Sequence, residues 1–190
     1  MTEPPRSITD SRVLAAMSHP LRRRLLDALT VDGPSTATML AERTAQAIGN
    51  VSHHMKVLAN ASLVEEAPEL ARDRRERWWR VADTSRRWSS ASFRGDPASV
   101  AVADAAKSLN LEHQVAKVRA WHSQSETADH DWVGAAFSTD MWMQLTAAEL
   151  NELSEQLIGL LRDWRARGAA DDGAERRPVF VFTHGVPASP

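Results

Sequence analysis

Apolar residues recur at helical spacing through the first third of the chain, and this pattern predicts four helices. The helices cover residues 10–18, 21–31, 36–44 and 48–61. His19 and Pro20 separate the first two, because the residue before a proline is pushed out of helical geometry. Ser35 or Thr36 caps the third helix, and a few residues separate it from the fourth. Two short helices joined by a tight turn predict a helix-turn-helix.

The fourth helix has one apolar and one polar side. At 100° per residue, its apolar arc contains Ile48, Val51, Met55, Leu58 and Ala59. Its outward row contains Gln46, Gly49, His53 and Lys56, flanked by Asn50 and Ser52. Such a row suits the major groove of DNA, since Asn and Gln bond adenine while Lys reaches guanine or phosphate. An ordinary solvated helix has the same composition, so this interpretation depends on the segment that follows.

That segment predicts a hairpin. Residues 63–66 and 77–81 read as two strands, and the tip between them is rich in arginine. The candidate DNA-binding arginines of this hairpin are Arg72, Arg74, Arg75 and Arg77. A hairpin directly after a recognition helix is a wing, and we expect its arginines to lie along the phosphate backbone or in the minor groove.

The second half of the chain predicts a different arrangement. A connection over residues 84–97 leads into a long helix over residues 98–123. A strand over residues 137–145, a helix over residues 146–167 and a strand over residues 178–183 then predict a small α+β unit. Thr146 and Glu149 form the capping box of that helix. The predicted fold class is therefore mainly α with small β, as a DNA-binding domain over 1–95 and a second domain over 96–190.

Composition agrees with an ordinary globular protein, with 43% hydrophobic and 25% charged residues. Residues 1–94 carry 15 Lys and Arg against 11 Asp and Glu, whereas residues 95–190 carry 8 against 14. The first half is thus basic and the second acidic, which favours an anionic partner for the first half alone. No stretch predicts a membrane span or a signal peptide, so we expect a cytoplasmic protein without membrane contact.

Three segments, in order, resemble the ArsR/SmtB-type family of winged-helix repressors. Residues 19–26 resemble its HPxRxxIL helix, residues 50–64 its xVSxHLxxL…GLV recognition helix and strand entry, and residues 75–81 its second wing strand. The resemblance implies that Ser52, His53 and Lys56 face DNA, and that the long helix forms a dimer seam. One departure is Ala61-Ser62, which stands where the family has a glycine before the wing.

Metal sensing, which many members of that family perform, is not expected here. The chain has no cysteine, which excludes thiolate ligands. His113 and His122 are nine residues apart and therefore lie on different sides of one helix. Asp129-His130-Asp131 reads as a solvated loop. We therefore predict neither a metal nor another cofactor.

Aromatic residues are concentrated in the second half. They are Trp121, Trp132, Phe137, Trp142, Trp164, Phe180 and Phe182. One interpretation is a pocket for a hydrophobic small-molecule effector. The alternative is that these rings fill a small core or a dimer interface.

These patterns favour a sequence-specific, double-stranded-DNA-binding repressor that acts as a homodimer on a pseudo-palindromic site and is released by an effector. Two alternatives stay open. One is a winged-helix protein-interaction module that does not bind DNA, and the other is a MarR-like regulator. The short helix before His19 favours the ArsR-type order. No phosphate loop, nucleophile elbow, HExxH or CxxC motif predicts an enzyme.

Overall fold

A computed structural model describes residues 6–7, 11–73, 76–82, 86–87, 96–168 and 172–189, with the backbone alone at residues 6, 7, 11, 12, 86 and 87. The chain divides into two compact units, Met1–Val115 and Ala116–Pro190. Within the described ranges, no helix is long and apolar enough to cross a lipid bilayer.

All four helices predicted for the first unit are confirmed. They are α1 (Ser11–Met17), α2 (Pro20–Asp32), α3 (Ala37–Thr44) and α4 (Ile48–Asn60). Pro20 occupies the first position of α2, and Nδ1 of His19 caps that helix by accepting the N–H of Leu21 at 3.2 Å. Thr36 is the predicted cap of α3, and its hydroxyl oxygen accepts the N–H of Met39 at 3.3 Å.

Two residues in the left-handed region bracket α4. Ala45 ends α3 with φ 53°, and the N–H of Gln46 then bonds the carbonyl of Ala41 at 2.9 Å. Ser62 has φ 52° at the exit of α4. This is the position where the resemblance leads one to expect glycine, and the serine adopts the conformation that glycine favours. The unusual exit therefore leaves the path into the wing intact.

Five short strands accompany the helices. They are β1 (Arg6–Ser7), β2 (Ser35–Thr36), β3 (Val64–Glu66), β4 (Trp78–Val81) and β5 (Arg86–Arg87). The predicted wing hairpin is confirmed as antiparallel β3 and β4, with Val64 opposite Val81. β2 pairs with the other edge of β4, giving the order β2-β4-β3. β1 and β5 form a separate parallel pair that the sequence pattern did not predict.

The core of the first unit lies between the helices and the inner face of the wing. Its fully buried members are Leu25, Leu40, Val51, Met55 and Leu58. A second cluster joins Leu14 of α1 to Ala103 and Ala106 of α5 (Pro97–Gln124). The long helix is thus confirmed, and it begins after Asp96, whose carboxylate accepts the N–H groups of Ala98 and Ser99.

The second unit is partly different from the prediction. The helix with its capping box is confirmed as α7 (Ala147–Ala166), where Thr146 and Glu149 cap each other. The two predicted strands are wrong: residues 137–145 and 178–183 form neither a strand nor a helix. Alternating side chains indicate a strand only if a neighbouring chain segment satisfies the backbone N–H and C=O groups. The structure provides no such ladder for these segments.

A short helix, α6 (His130–Ala135), replaces the predicted loop at residues 129–131. Asp129 caps it, because its carboxylate accepts the N–H of Asp131 at 2.9 Å. The seven aromatic residues of this half are exposed or half-buried. The interpretation that they fill a core within one chain is therefore wrong for the described structure.

Candidate nucleic-acid interface

One face of α4 is held in the core, so the opposite face is turned to solvent. Val51, Met55 and Leu58 have no exposed surface, and His54 is also buried. Ile48 departs from the predicted apolar arc, because it retains 50% of its exposure. It is the first residue of the helix and lies ahead of the turn that reaches the core.

The predicted outward residues occupy this solvent face. Asn50, His53 and Lys56 are exposed, and Ser52 is half-buried. Gly49 faces open space, since an added Cβ would meet no atom within 4 Å. Gln46 is exposed but precedes the helix, and its side-chain oxygen accepts the amide of Asn50 at 3.1 Å. Gln46 thus lies two residues before the start of α4, and the prediction that it belongs to the helical row is wrong.

An open cleft of about 630 Å³ lies between α3, α4 and the wing. Ser52 and Lys56 line it from α4, and Arg77 and Trp79 line it from the wing strand. The structure therefore brings residues that are more than twenty positions apart onto one concave surface. Glu42 and Glu76 also line the cleft, so its charge is mixed.

The contribution of α3 to this cleft was not predicted. Thr38 and Met39 line it, and Met39 retains 45% of its exposure. The signal was available in the spacing. Leu40, Ala41 and Thr44 form the buried side of α3, which leaves the two preceding residues outside.

The arginines of the wing differ in how far their side chains are free to contact an anion. Arg72 is exposed, and Arg77 lies 3.7 Å from Glu66 in an exposed ion pair. Arg80 bonds both Glu65 and Glu69, and these contacts raise the pKa of its guanidinium. Exposed ion pairs contribute little and are easily exchanged, so Arg77 is the strand arginine best placed for an anion. Arg74 and Arg75 lie outside the described residues.

The three consecutive arginines of α2 serve a different purpose. Arg22 donates to the carbonyls of Ala15 and Ala16 at the end of α1. Arg24 donates to the carbonyl of Thr44 at the end of α3, at 2.7 Å. Helix ends leave carbonyls without partners and carry a negative partial charge, so these cations stabilise the helix ends. Arg23 bonds the side chain of Asn110, which ties α2 to α5.

Three histidines form a row from α2 to the outward face of α4. The rings of His19 and His54 lie 4.5 Å apart, and those of His54 and His53 lie 5.4 Å apart. Burial lowers the pKa of His54 below its usual value, and the neighbouring His19, Arg22 and His53 lower it further. Nδ1 of His54 is buried with no hydrogen-bond partner among the described residues. His54 therefore packs as a neutral ring behind the outward face.

Two of the candidate metal-binding residues, His113 and Asp129, have other partners. Nε2 of His113 lies 3.0 Å from the carboxylate of Asp27, which joins α5 to α2. Asp129 caps α6 and lies 3.9 Å from Arg177. In the ranges that the structure describes, no three acidic or histidine side chains are grouped as ligands for a metal ion.

Residues 17–67 match a protein-family model described as a helix-turn-helix domain. The matched range begins at the end of α1 and continues through α4 and β3, so the predicted helix-turn-helix is confirmed. No curated protein matches the chain.

Several solved structures are similar to part of the chain, among them the following three. Two are of fragment 1–100 of a protein from Mycobacterium bovis, with 21% identity and a TM-score of 0.36. The crystal structure is of a possible transcriptional regulatory protein, and the match covers 57% of this chain and 91% of that one. The solution structure is of a homodimeric winged helix-turn-helix DNA-binding domain, a possible ArsR-family regulator, with 57% and 79% covered. Reduced HlyU from Vibrio cholerae has 16% identity and a TM-score of 0.35, with 56% and 87% covered.

Proposed function

We propose that this protein is a transcriptional regulator of the ArsR type that binds double-stranded DNA through α4 and the wing. The cleft between these elements carries the proposal. Ser52 and Lys56 of α4 and Arg77 of the wing meet on one concave surface, while Asn50 and His53 extend the exposed face of the helix. An α-helix fits the major groove, and a basic hairpin beside it reaches the adjacent backbone.

The protein acts as a homodimer in this proposal. Two copies of α4 on one duplex read half-sites about one helical turn apart, which a pseudo-palindromic operator provides. α5 is the proposed seam, because the family resemblance assigns that role to the helix after the wing. Leu111 of α5 is apolar and exposed, as a position in such a seam requires. Occupation of a promoter by this dimer represses transcription, and this role places the protein with the DNA in the cytoplasm.

The decisive experiment is fluorescence anisotropy with the DNA upstream of the protein's own gene and with a random duplex, over a salt series. We expect tighter binding to the upstream DNA than to the random duplex. We also expect the logarithm of the binding constant to fall steeply with the logarithm of the salt concentration, with a slope of about 0.9 per phosphate contact. No binding to either duplex at low salt would favour the alternative, an interaction module that does not bind DNA.

His53→Ala distinguishes a contact with a base from sequence-independent electrostatic binding to DNA. We expect it to weaken binding to the upstream site by about 1–3 kcal/mol and to leave random DNA unaffected. His130→Ala removes an exposed histidine of α6 and is the matched control. Equal losses on both duplexes would contradict a base contact for His53.

Arg77→Ala tests the wing against Arg80→Ala, which removes the same charge three residues further along, within β4. Arg77 lines the cleft, whereas Arg80 is engaged by two glutamates. We expect Arg77→Ala to weaken binding to both duplexes and to reduce the salt slope by about one. Arg80→Ala should change the slope by less. Replacement of Arg74 and Arg75 together extends the test to the tip, where a larger uniform loss is expected.

Release by a hydrophobic small molecule is a second part of the proposal, favoured by the half-buried rings of Trp121 and Trp132 in the second unit. A bound effector shifts the equilibrium only if it prefers the DNA-free form of the dimer. A thermal-shift screen with hydrophobic compounds tests this part, and a melting temperature that no compound changes would count against it.

A further inference from the structure

The described part of the second unit, residues 116–168 and 172–189, has no core of its own. None of these residues is buried, although the unit contains the end of α5, the helices α6 and α7 and many large apolar side chains. Phe137 retains 77% of its exposure, Trp142 68% and Trp164 60%. Stable domains place their apolar surface between at least two packed layers. No described residue of this unit is enclosed in that way.

The exposed apolar groups occupy three pieces of the unit: residues 137–145, the outer side of α7 and residues 179–186. We name these together the open apolar face. The third piece and the segment that leads into it are held against their own chain. Nζ of Lys117 lies 5.6 Å from the ring centre of Phe180, and the guanidinium of Arg177, just before the piece, lies 5.5 Å from that of Trp132. Gly185 approaches Leu150 so closely that an added Cβ would lie 3.1 Å from its Cδ1. Residues 179–186 thus have a defined place on the unit.

Its size is that of a protein interface. With about 150–250 Å² for a whole aromatic side chain, the four exposed rings present roughly 550 Å². These rings are Phe137, Trp142, Trp164 and Phe180. A stable complex buries about 800 Å² on each partner, and the exposed Met, Leu and Val side chains of the face supply the remainder. Monomeric proteins seldom expose this much apolar side-chain surface within one compact unit.

We propose that the open apolar face is covered by the same face of a second copy of this chain. The inference rests on the proposed homodimer and assigns to it a contact beyond the α5 seam. Two copies of this face packed against each other form the buried interior that the described part of one unit lacks, and a twofold axis supplies the matching surface without another protein.

The charge and pattern of the face favour an identical partner. Asp140 is the one acidic or basic residue in residues 137–145, and residues 178–186 contain none except His184. Like charges opposite each other are unfavourable, so segments with almost no charge suit pairing with their own copies. Residues 137–145 and 178–183 are predicted as strands but lack a ladder within the described part of one chain, and the second copy offers the missing backbone partner.

Single cysteines test this contact, because the natural chain contains none. Thr139→Cys and Val179→Cys are placed in the full-length protein, and Val31→Cys, an exposed apolar position of α2, is the control. Maleimide labelling rates are measured at a concentration where sedimentation shows a dimer. We expect at least tenfold slower labelling at positions 139 and 179 than in urea, and no such protection at position 31.

Phe180→Asp is a second test, with Val31→Asp as its control. We expect Phe180→Asp to raise the dimer dissociation constant at least tenfold, while circular dichroism shows that the first unit stays folded. Thiols at positions 139 and 179 that label at the unfolded rate in a dimer would overturn the proposal, as would a wild-type chain that is monomeric throughout. In both cases anisotropy can still detect specific DNA binding, so the proposed function is judged separately.

Discussion

Met55→Ala and Ile48→Ala form the sharpest test of how α4 is held. Both residues lie on the apolar arc that the sequence predicts, so the pattern alone assigns them equal importance. The structure does not, because Met55 has no exposed surface and Ile48 retains 50% of its exposure. Truncation of a fully buried Met removes its transfer free energy and leaves a cavity, which costs about 2–5 kcal/mol.

For Ile48 the expected loss is much smaller. Full burial of an Ile side chain contributes about 1.5–3 kcal/mol, so a half-exposed one contributes roughly 1 kcal/mol. The higher helix propensity of alanine returns a few tenths of a kcal/mol. The two variants should therefore differ by about 2 kcal/mol or more in the free energy of unfolding, or roughly 4–8 °C in melting temperature.

The assay is urea unfolding followed by far-ultraviolet circular dichroism, without DNA. All proteins are measured at one concentration, since the stability of a dimer depends on it. Equal m values confirm that the difference lies in stability and not in the extent of unfolding. Equal losses for Met55→Ala and Ile48→Ala would refute the placement of α4, because they would require Ile48 to be as deeply buried as Met55.

Two further predictions concern His54 and the turn before α4. Burial lowers the pKa of His54 in the folded protein below 6.5, so the unfolded chain binds more protons than the folded one. The stability that the neutral ring contributes is therefore complete above pH 6.5. It is lost as the pH falls through the lower folded-state pKa. The urea midpoint of the wild type should thus decrease between about pH 7.5 and 5.5, and that of His54→Leu should decrease less; parallel curves would contradict this cause. Ala45→Gly should raise the free energy of unfolding by about 1 kcal/mol because φ is 53° there, and thermal melting should show the opposite sign for Ala15→Gly on the exposed side of α1.

Sequence patterns were sufficient where the contacts are local. Helical spacing located α1 to α4, and Thr36 and Thr146 identified two helix starts. The outward face of α4 could be predicted from its buried face, because the rotation of 100° per residue that places one face also places the opposite one. The cleft could not be predicted in this way, because it requires the spatial relation of α3, α4 and β4. The strand prediction for residues 137–145 was wrong for the same reason. Alternation describes a side-chain pattern, whereas a strand depends on a neighbouring chain segment that the pattern does not specify.

The arginines of α2 have a consequence for how the protein would find its operator. Arg22 and Arg24 are engaged by helix-end carbonyls and Arg23 by Asn110, so three of the fifteen cations of residues 1–94 belong to the scaffold. In the proposed function, attraction to arbitrary genomic sequence would then depend chiefly on Lys56 and the wing. A protein with few such contacts leaves non-target sites quickly and is distributed over the chromosome by short encounters. Occupancy of its operator against the excess of competing sites would depend chiefly on the bases read by α4.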